Sequence, residues 1–334
     1  MTILFILLGI LAVTGIVFLA KGKKKKPKQE APTQPIEQPV VKPAPKPEPK
    51  PVQAISEIYE YTSFQKDKYS LYSTEGKNVV LLTKNKLKTA DAKFLIDYLD
   101  DAWSFYADRA SGEPSEGSSY NGKVIIAEVD KTCGAGCGYL GAKGIEIQTD
   151  YMQKAIASAK NKQVDRIFLY EMGRNWWLYT AKVADNDLPY KSAVITGFAV
   201  YMSFRIADYL REKDLDIAPF NDIPFDKFQD EVDSLSDLYI GKRLKYSETI
   251  SINKGIEGER FSGAVDLFSS ILTHVDDKYA EGSLSDNIWI ELSKRSDTTD
   301  EQQSINNLVN AINSSVNKNL SAYFKNTLRF DILK

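Results

Sequence analysis

Between Pro27 and Pro51 the chain places nine of its 13 prolines, and in Val41-Lys42-Pro43-Ala44-Pro45-Lys46-Pro47-Glu48-Pro49-Lys50-Pro51 they fall at every second position. A residue with a locked φ and no backbone N–H can sit in neither a helix interior nor a sheet at this density, so the stretch favours extended polyproline II. At about 3.1 Å per residue it makes a spacer of up to roughly 75 Å. Any core must therefore come from the residues beyond Pro51. Before the spacer, Ile3 to Ala20 is an unbroken apolar-and-small run. As a helix it would reach about 27 Å, close to the thickness of a bilayer's hydrocarbon core, and it reads as a single transmembrane anchor. A cleaved signal peptide fits less well: no basic residue precedes the run, and Phe18-Leu19-Ala20 is a poor cleavage site. The cluster Lys21, Lys23 to Lys26 and Lys28 suits anionic headgroups and favours a single-pass protein with its domain facing the cytoplasm. The expected organisation is an anchor over 1–20, a Lys/Pro-rich linker over 21–54, a sheet-rich part over 55–160 and a helical part over 161–334.

Charge separates the tether from the rest. Residues 1–54 hold nine Lys against three Glu, which leaves 34 basic and 42 acidic side chains in the remainder. An acidic globular part argues against nucleic acid as a partner, because phosphate contacts need clustered Lys and Arg. The expected partners are the membrane and a peptide or protein. With 43% hydrophobic residues in 334, the chain can bury one large core or two modest ones.

Residues 55–75 alternate apolar and polar and predict two strands, and Asn78 to Thr83 predicts a third. Thr89 is a candidate N-cap for an amphipathic helix over 90–107, where Phe94, Leu95, Tyr98, Leu99, Trp103 and Tyr106 recur at helical spacing. Two more strands are predicted at Lys123 to Glu128 and Gly144 to Gln148. Helices are predicted at 151–159, 163–181, 192–210, 225–235, 261–279, 286–294, 301–316 and 320–328, with a short strand at 329–332. The fold class is thus α+β: a mixed sheet with a backing helix, then a mostly helical part.

Gly136, Gly138 and Gly141 spell G-x-G-x-x-G, but a dinucleotide fingerprint must open a helix, and here the next predicted element is a strand. The glycines read as a tight turn at a sheet edge. Cys133 and Cys137 are the only cysteines. They either close a small disulfide or remain two thiols, and the disulfide would conflict with a cytoplasmic location. No other Cys or His lies near enough to complete a metal site. The loop Asp185-Asn186-Asp187 offers oxygen ligands but lacks the glycine and distal Glu of a calcium loop, and reads as a solvated turn.

At the centre of the predicted helical part stands Tyr170-Glu171-Met172-Gly173-Arg174-Asn175-Trp176-Trp177. It resembles the gluzincin zinc-peptidase run H-E-L-A-H-Q-W-W, with Tyr170 and Arg174 at the two histidine positions and Glu171 at the general-base position. Downstream, Ile195-Thr196-Gly197-Phe198-Ala199-Val200-Tyr201 is similar to the gluzincin N-E-G-F-A-x-Y, with Thr196 at the third zinc ligand. Asn319-Leu320-Ser321-Ala322-Tyr323-Phe324 with Phe330-Asp331-Ile332 is similar to the closing N-L-x-x-F-F … W-P-I. The resemblance covers about 57–334 and implies a zincin-like fold with Gly144 to Gln148 as the edge strand above the active-site helix.

The departures imply an inactive homologue. Zinc catalysis needs two neutral imidazoles and a carboxylate on the metal, whereas a guanidinium stays charged and repels a cation. His274 is the single histidine. It reads as a helix-surface or cap residue. No metal or cofactor is expected, and Glu171 is expected to pair with Arg174 three residues on, which would hold it ionised. The expected function is a membrane-anchored, metallopeptidase-like pseudoenzyme that binds a peptide or serves as a scaffold, with Arg174, Gly144, Ile145, Glu146 and Tyr190 as candidate binding residues. The alternatives are a hydrolase using Glu171 without the zinc site, and a purely structural envelope or surface protein.

Overall fold

The nearly continuous apolar runs Val79–Thr83 and Lys123–Val129 form central strands of a sheet that are buried on both faces. The computed structural model describes residues 57–183 and 190–333; the expected anchor, the whole linker and the acidic loop at 185–187 lie outside them. In chain order the elements are β1 (Ile58–Thr62), β2 (Lys68–Glu75), β3 (Val79–Thr83), α1 (Thr89–Arg109), β4 (Ser119–Tyr120), β5 (Lys123–Val129), β6 (Gly136–Gly138), β7 (Ile145–Gln148), α2 (Thr149–Lys160), β8 (Gln163–Val164), α3 (Arg166–Asn175), α4 (Thr180–Val183), α5 (Tyr190–Arg211), β9 (Asp216–Ile217), α6 (Phe225–Asp233), α7 (Leu235–Gly241), α8 (Ala264–Tyr279), α9 (Leu284–Ser293), α10 (Glu301–Ser315) and α11 (Ser321–Asn326).

The main sheet runs β1-β2-β3-β5-β7-β6, with β4 attached to β5. The β1, β2 and β3 strands are antiparallel neighbours, β3, β5 and β7 are parallel, and β6 returns antiparallel along β7. Val79, Leu81, Val124, Ile126, Ile145 and Ile147 face the large helical core, where α1 contributes Leu95, Leu99, Ala102 and Tyr106. Val80, Leu82, Ile125 and Ala127 face the other way and pack with Tyr61 and Leu71. The sheet itself covers that second face. Four strand spacings separate β1 from β7, about 19 Å in a flat sheet. Yet the Tyr61 hydroxyl donates to Glu146 Oε1 at 3.0 Å, and the Phe64 N–H donates to the same oxygen at 2.6 Å. The β1–β2 hairpin therefore curls over the sheet, and Phe64 stacks on Tyr139 with centroids 3.9 Å apart.

Most predicted elements appear within two or three residues of their expected bounds, and the differences have local causes. Thr89 is the first residue of α1 rather than its cap, since the cap position is Lys88 and carries no side-chain bond. The expected long helix over 163–181 is broken: Gln163–Val164 pairs with β9, α3 spans only ten residues, and α4 follows separately. The expected strand over 329–332 is a turn, in which Phe330 stacks on Tyr246. Gly144 to Gln148 is not the sheet edge, because β6 lies outside it.

The helical part is built around α5, which packs on α3 and α8. By length and composition alone α5 is apolar enough to cross a membrane, with mean hydropathy 1.2, but 78% of that window is buried inside the domain. Apolar on every side, it is the central core helix.

Candidate functional site

The motif helix is fixed at both ends by side chains that the fold brings to it. Asp165 caps its start, its Oδ1 accepting the Ile167 N–H at 2.9 Å. At its end Asn175 Nδ2 donates to the carbonyls of Tyr139 and Gly144, both at 3.0 Å, and the Gly141 N–H donates to the Arg174 carbonyl at 3.1 Å. The β6–β7 connection thus supplies partners that the last helical turn lacks.

Helix α3 runs antiparallel to α5 along a narrow seam. A Cβ on Gly173 would lie 2.9 Å from Ala199 Cα and 2.7 Å from the Tyr106 hydroxyl, so only glycine lets the backbones approach this closely. Two arginines span the seam on either side of that contact. Arg174 Nη1 donates to Thr196 Oγ1 at 2.9 Å, and Arg166 Nε donates to Ser203 Oγ at 3.0 Å. Tyr170 lies between them on the same helix face. Burial pushes its hydroxyl up, while the Arg174 and Arg166 charges act in the opposite sense. Arg166 sits over the rings of Tyr170, Phe204, Phe220 and Phe228 at 5.1–5.4 Å from their centroids. Burial lowers its pKa, against Tyr170, Asp266, Tyr106 and Asp165, which raise it, and the negative faces of the rings add to their support of the charge. Among the described residues neither Arg166 nor Arg174 forms an ion pair within 4.0 Å.

Glu171 points elsewhere. It is 5% exposed, and its Oε2 accepts the Gly138 N–H of β6 at 2.8 Å. The expected Glu171–Arg174 pair is absent. Residues three apart on a helix are offset by about 60° in projection. Here that offset turns Arg174 to α5 and Glu171 to β6. Glu171 is not held ionised either: burial raises its pKa to about 7, against the Gly138 N–H and the two arginines, which lower it.

This carries a pH dependence. The folded-state pKa lies above the unfolded value, so the native state holds the proton more tightly. Stability is then highest below the unfolded pKa of about 4.5 and falls as pH rises to about 7, by on the order of 3 kcal/mol from this group. Asp233, raised to about 7, and Asp266, raised to about 6, both by burial, act in the same sense. Glu171→Gln is expected to flatten the slope of urea-unfolding free energy between pH 5 and 7; an unchanged slope would count against a protonated Glu171.

The structure brings Tyr170, Arg174 and Thr196 together and separates them from the other candidates. Ile145 and Glu146 are fully buried in β7, and Glu146 is occupied by Tyr61, Phe64 and the Thr132 hydroxyl. Gly144 holds φ +128°, where a Cβ would meet Ser118 and Tyr139. Tyr190 is buried, with its hydroxyl on Ser304 Oγ at 3.0 Å. His274 Nε2 shares a 2.6 Å hydrogen bond with the Tyr323 hydroxyl, away from α3. Trp176, Trp177 and Tyr179 are buried core. Cys133 and Cys137 are joined in a disulfide. Sequence reasoning missed β6 and Arg166. The period-two glycines Gly134, Gly136 and Gly138 were the available signal, since glycine inside a strand marks close approach of another backbone.

The residues present do not fit zinc. Thr196 and Tyr170 offer neutral hydroxyls, and Arg174 places a positive donor between them. Among the described residues no three His, Cys, Asp or Glu side chains are grouped to hold a metal ion.

No family model and no curated protein matches this chain. Among solved structures it is similar to the ZmpB metallopeptidase from Clostridium perfringens, at 12% sequence identity and a TM-score of 0.47. The likeness covers 80% of this chain and 48% of that one, so the chain spans about half of that protein's length.

Proposed function

We propose that this is a zincin-like domain whose metal site has been replaced by an internal guanidinium, and that it serves at a membrane as a peptide- or protein-binding module without peptidase activity. The observation that carries this reading is the 2.9 Å bond from Arg174 Nη1 to Thr196 Oγ1. Two positions that hold zinc ligands in a gluzincin are here bonded to each other. The guanidinium ties α3 to α5, as a metal ion would, and leaves further N–H donors for a carboxylate or other anion on a partner. The disulfide supports placing the domain on an oxidising side of the membrane, against the orientation favoured by the Lys cluster.

Metal analysis tests the reading. The purified chain is expected to carry no stoichiometric zinc, and chelator is expected to leave its melting temperature unchanged; one zinc per chain would sink the proposal. Arg174→Ala is expected to abolish capture from a peptide library; capture that survives it would remove Arg174 from the binding site, and no capture by the unaltered chain would favour a purely structural role. A second reading, a hydrolase with Glu171 as its acid or base, draws on the near-neutral pKa of that carboxyl. Peptide cleavage that disappears in Glu171→Gln would establish it.

A further inference from the structure

The outer edge of β7 is the place where an extended ligand would pair above α3, and the chain fills it with its own β6. The Ala135 carbonyl accepts from the Gln148 N–H and Cys137 pairs with Glu146, both in β7, and the Tyr139 N–H donates to the carbonyl of Gly144 just before it. Gly136 and Gly138 face α3 instead, where a Cβ on Gly136 would lie 2.7 Å from Glu171 Oε1 and one on Gly138 would lie 2.5 Å from the Glu171 carbonyl. The strand is three residues long, and two of them are glycine, the weakest strand former. A single covalent link shapes it: Cys133 and Cys137 close the loop at its start, and Cys133 is exposed to solvent.

We propose that the Cys133–Cys137 loop is a thiol-released cover, which when oxidised holds β6 over Glu171 and when reduced lets it lift. The reductant is a dithiol. One of its thiolates attacks a cystine sulfur, the S–S bond breaks as a mixed disulfide forms, and the second thiolate displaces the remaining cysteine sulfur. Two electrons and two protons end on Cys133 and Cys137, and the reductant leaves as a cyclic disulfide. Without the link the loop gains conformational freedom, and β6 is left with its short ladder, the bond to Glu171 and, beyond its far end, the ties of Tyr139 and Gly141 to the end of α3, so that it lifts from the Cys133 side. This regulates access to the Glu171 carboxyl, on which the hydrolase reading rests, and it does not require the Arg174–Thr196 seam to be metal-free.

Carboxylate labelling reads it directly. The full chain in detergent is treated with a water-soluble carbodiimide and glycine ethyl ester, oxidised or after dithiothreitol and iodoacetamide, and mapped by mass spectrometry. Labelling at Glu171 is expected to rise roughly fivefold or more on reduction, with Glu128, fully buried in β5, unchanged as the internal control. Cys133→Ser combined with Cys137→Ser is expected to match the reduced chain with no reagent present. Equal labelling of Glu171 in both redox states would overturn the proposal. So would a joint rise at Glu128 with loss of the far-UV spectrum, because the disulfide would then hold the whole domain. Zinc found in the purified chain would leave a positive labelling result standing.

Discussion

Tyr170→His, Arg174→His and Thr196→Glu, made together, are expected to turn the α3–α5 seam into a zinc site holding about one metal per chain. Positions 170 and 174 are one helical turn apart on the same face, and position 196 already lies within hydrogen-bond distance of the side chain at 174. All three are half-buried, whereas most of their neighbours are fully buried, so new ligands have room to turn toward a common point. Two neutral imidazoles and a carboxylate leave a fourth position for water. Binding tighter than ~1 μM corresponds to about 8 kcal/mol, and zinc would then raise the melting temperature of the variant while leaving the unaltered chain unmoved. Calorimetry and elemental analysis measure both. If the triple variant takes up no zinc, the seam does not have zincin geometry, and the reading of the fold fails along with that of the site.

The second large effect is on stability. Trp176→Ala is expected to cost about 3–5 kcal/mol, because it empties the largest type of side chain from a fully enclosed position. Trp176 is 1% exposed, stacks on Tyr106 at an interplanar angle of 7°, and meets Trp103 at 4.9 Å between centroids. It links the last turn of α3 to α1, and so couples the helical part to the helix that backs the sheet. Its indole N–H has no partner among the described residues. Trp176→Phe therefore forfeits no hydrogen bond and is expected to cost only about 1.5 kcal/mol or less. Urea midpoints separate the two: with an m-value of roughly 2–3 kcal/mol/M, the alanine variant should fall by about 1–2 M. Near-equal midpoints would mean that the site can collapse around the missing ring.

Legibility in the sequence followed the range of the interactions concerned. Helix α1 could be read because its buried positions, among them Leu95, Tyr98, Leu99 and Tyr106, repeat at helical spacing within one segment. Strand β3 could be read because Val79 to Thr83 is buried on both faces. Strand β6 could not, since a run of glycines signals a turn unless one knows that a helix presses on it. The expected ion pair failed for a similar reason. Spacing on a helix permits Glu171 and Arg174 to meet, but Gly138 and Thr196, which lie 33 and 22 residues away, decide where each side chain goes.

The sequence by itself determined the composition of the site: Tyr170, Glu171, Arg174 and Thr196 bring two hydroxyls, a carboxyl and a guanidinium, and the chemistry of each follows from its identity alone. Only the tertiary structure decided that Arg174 bonds Thr196 rather than Glu171, that Glu171 is a buried carboxyl with a pKa near neutral, and that a disulfide-closed strand lies over it. The physical reason is that donor types are local and solvation is not. Whether a carboxyl is ionised or a strand edge is open depends on what the rest of the chain packs against it.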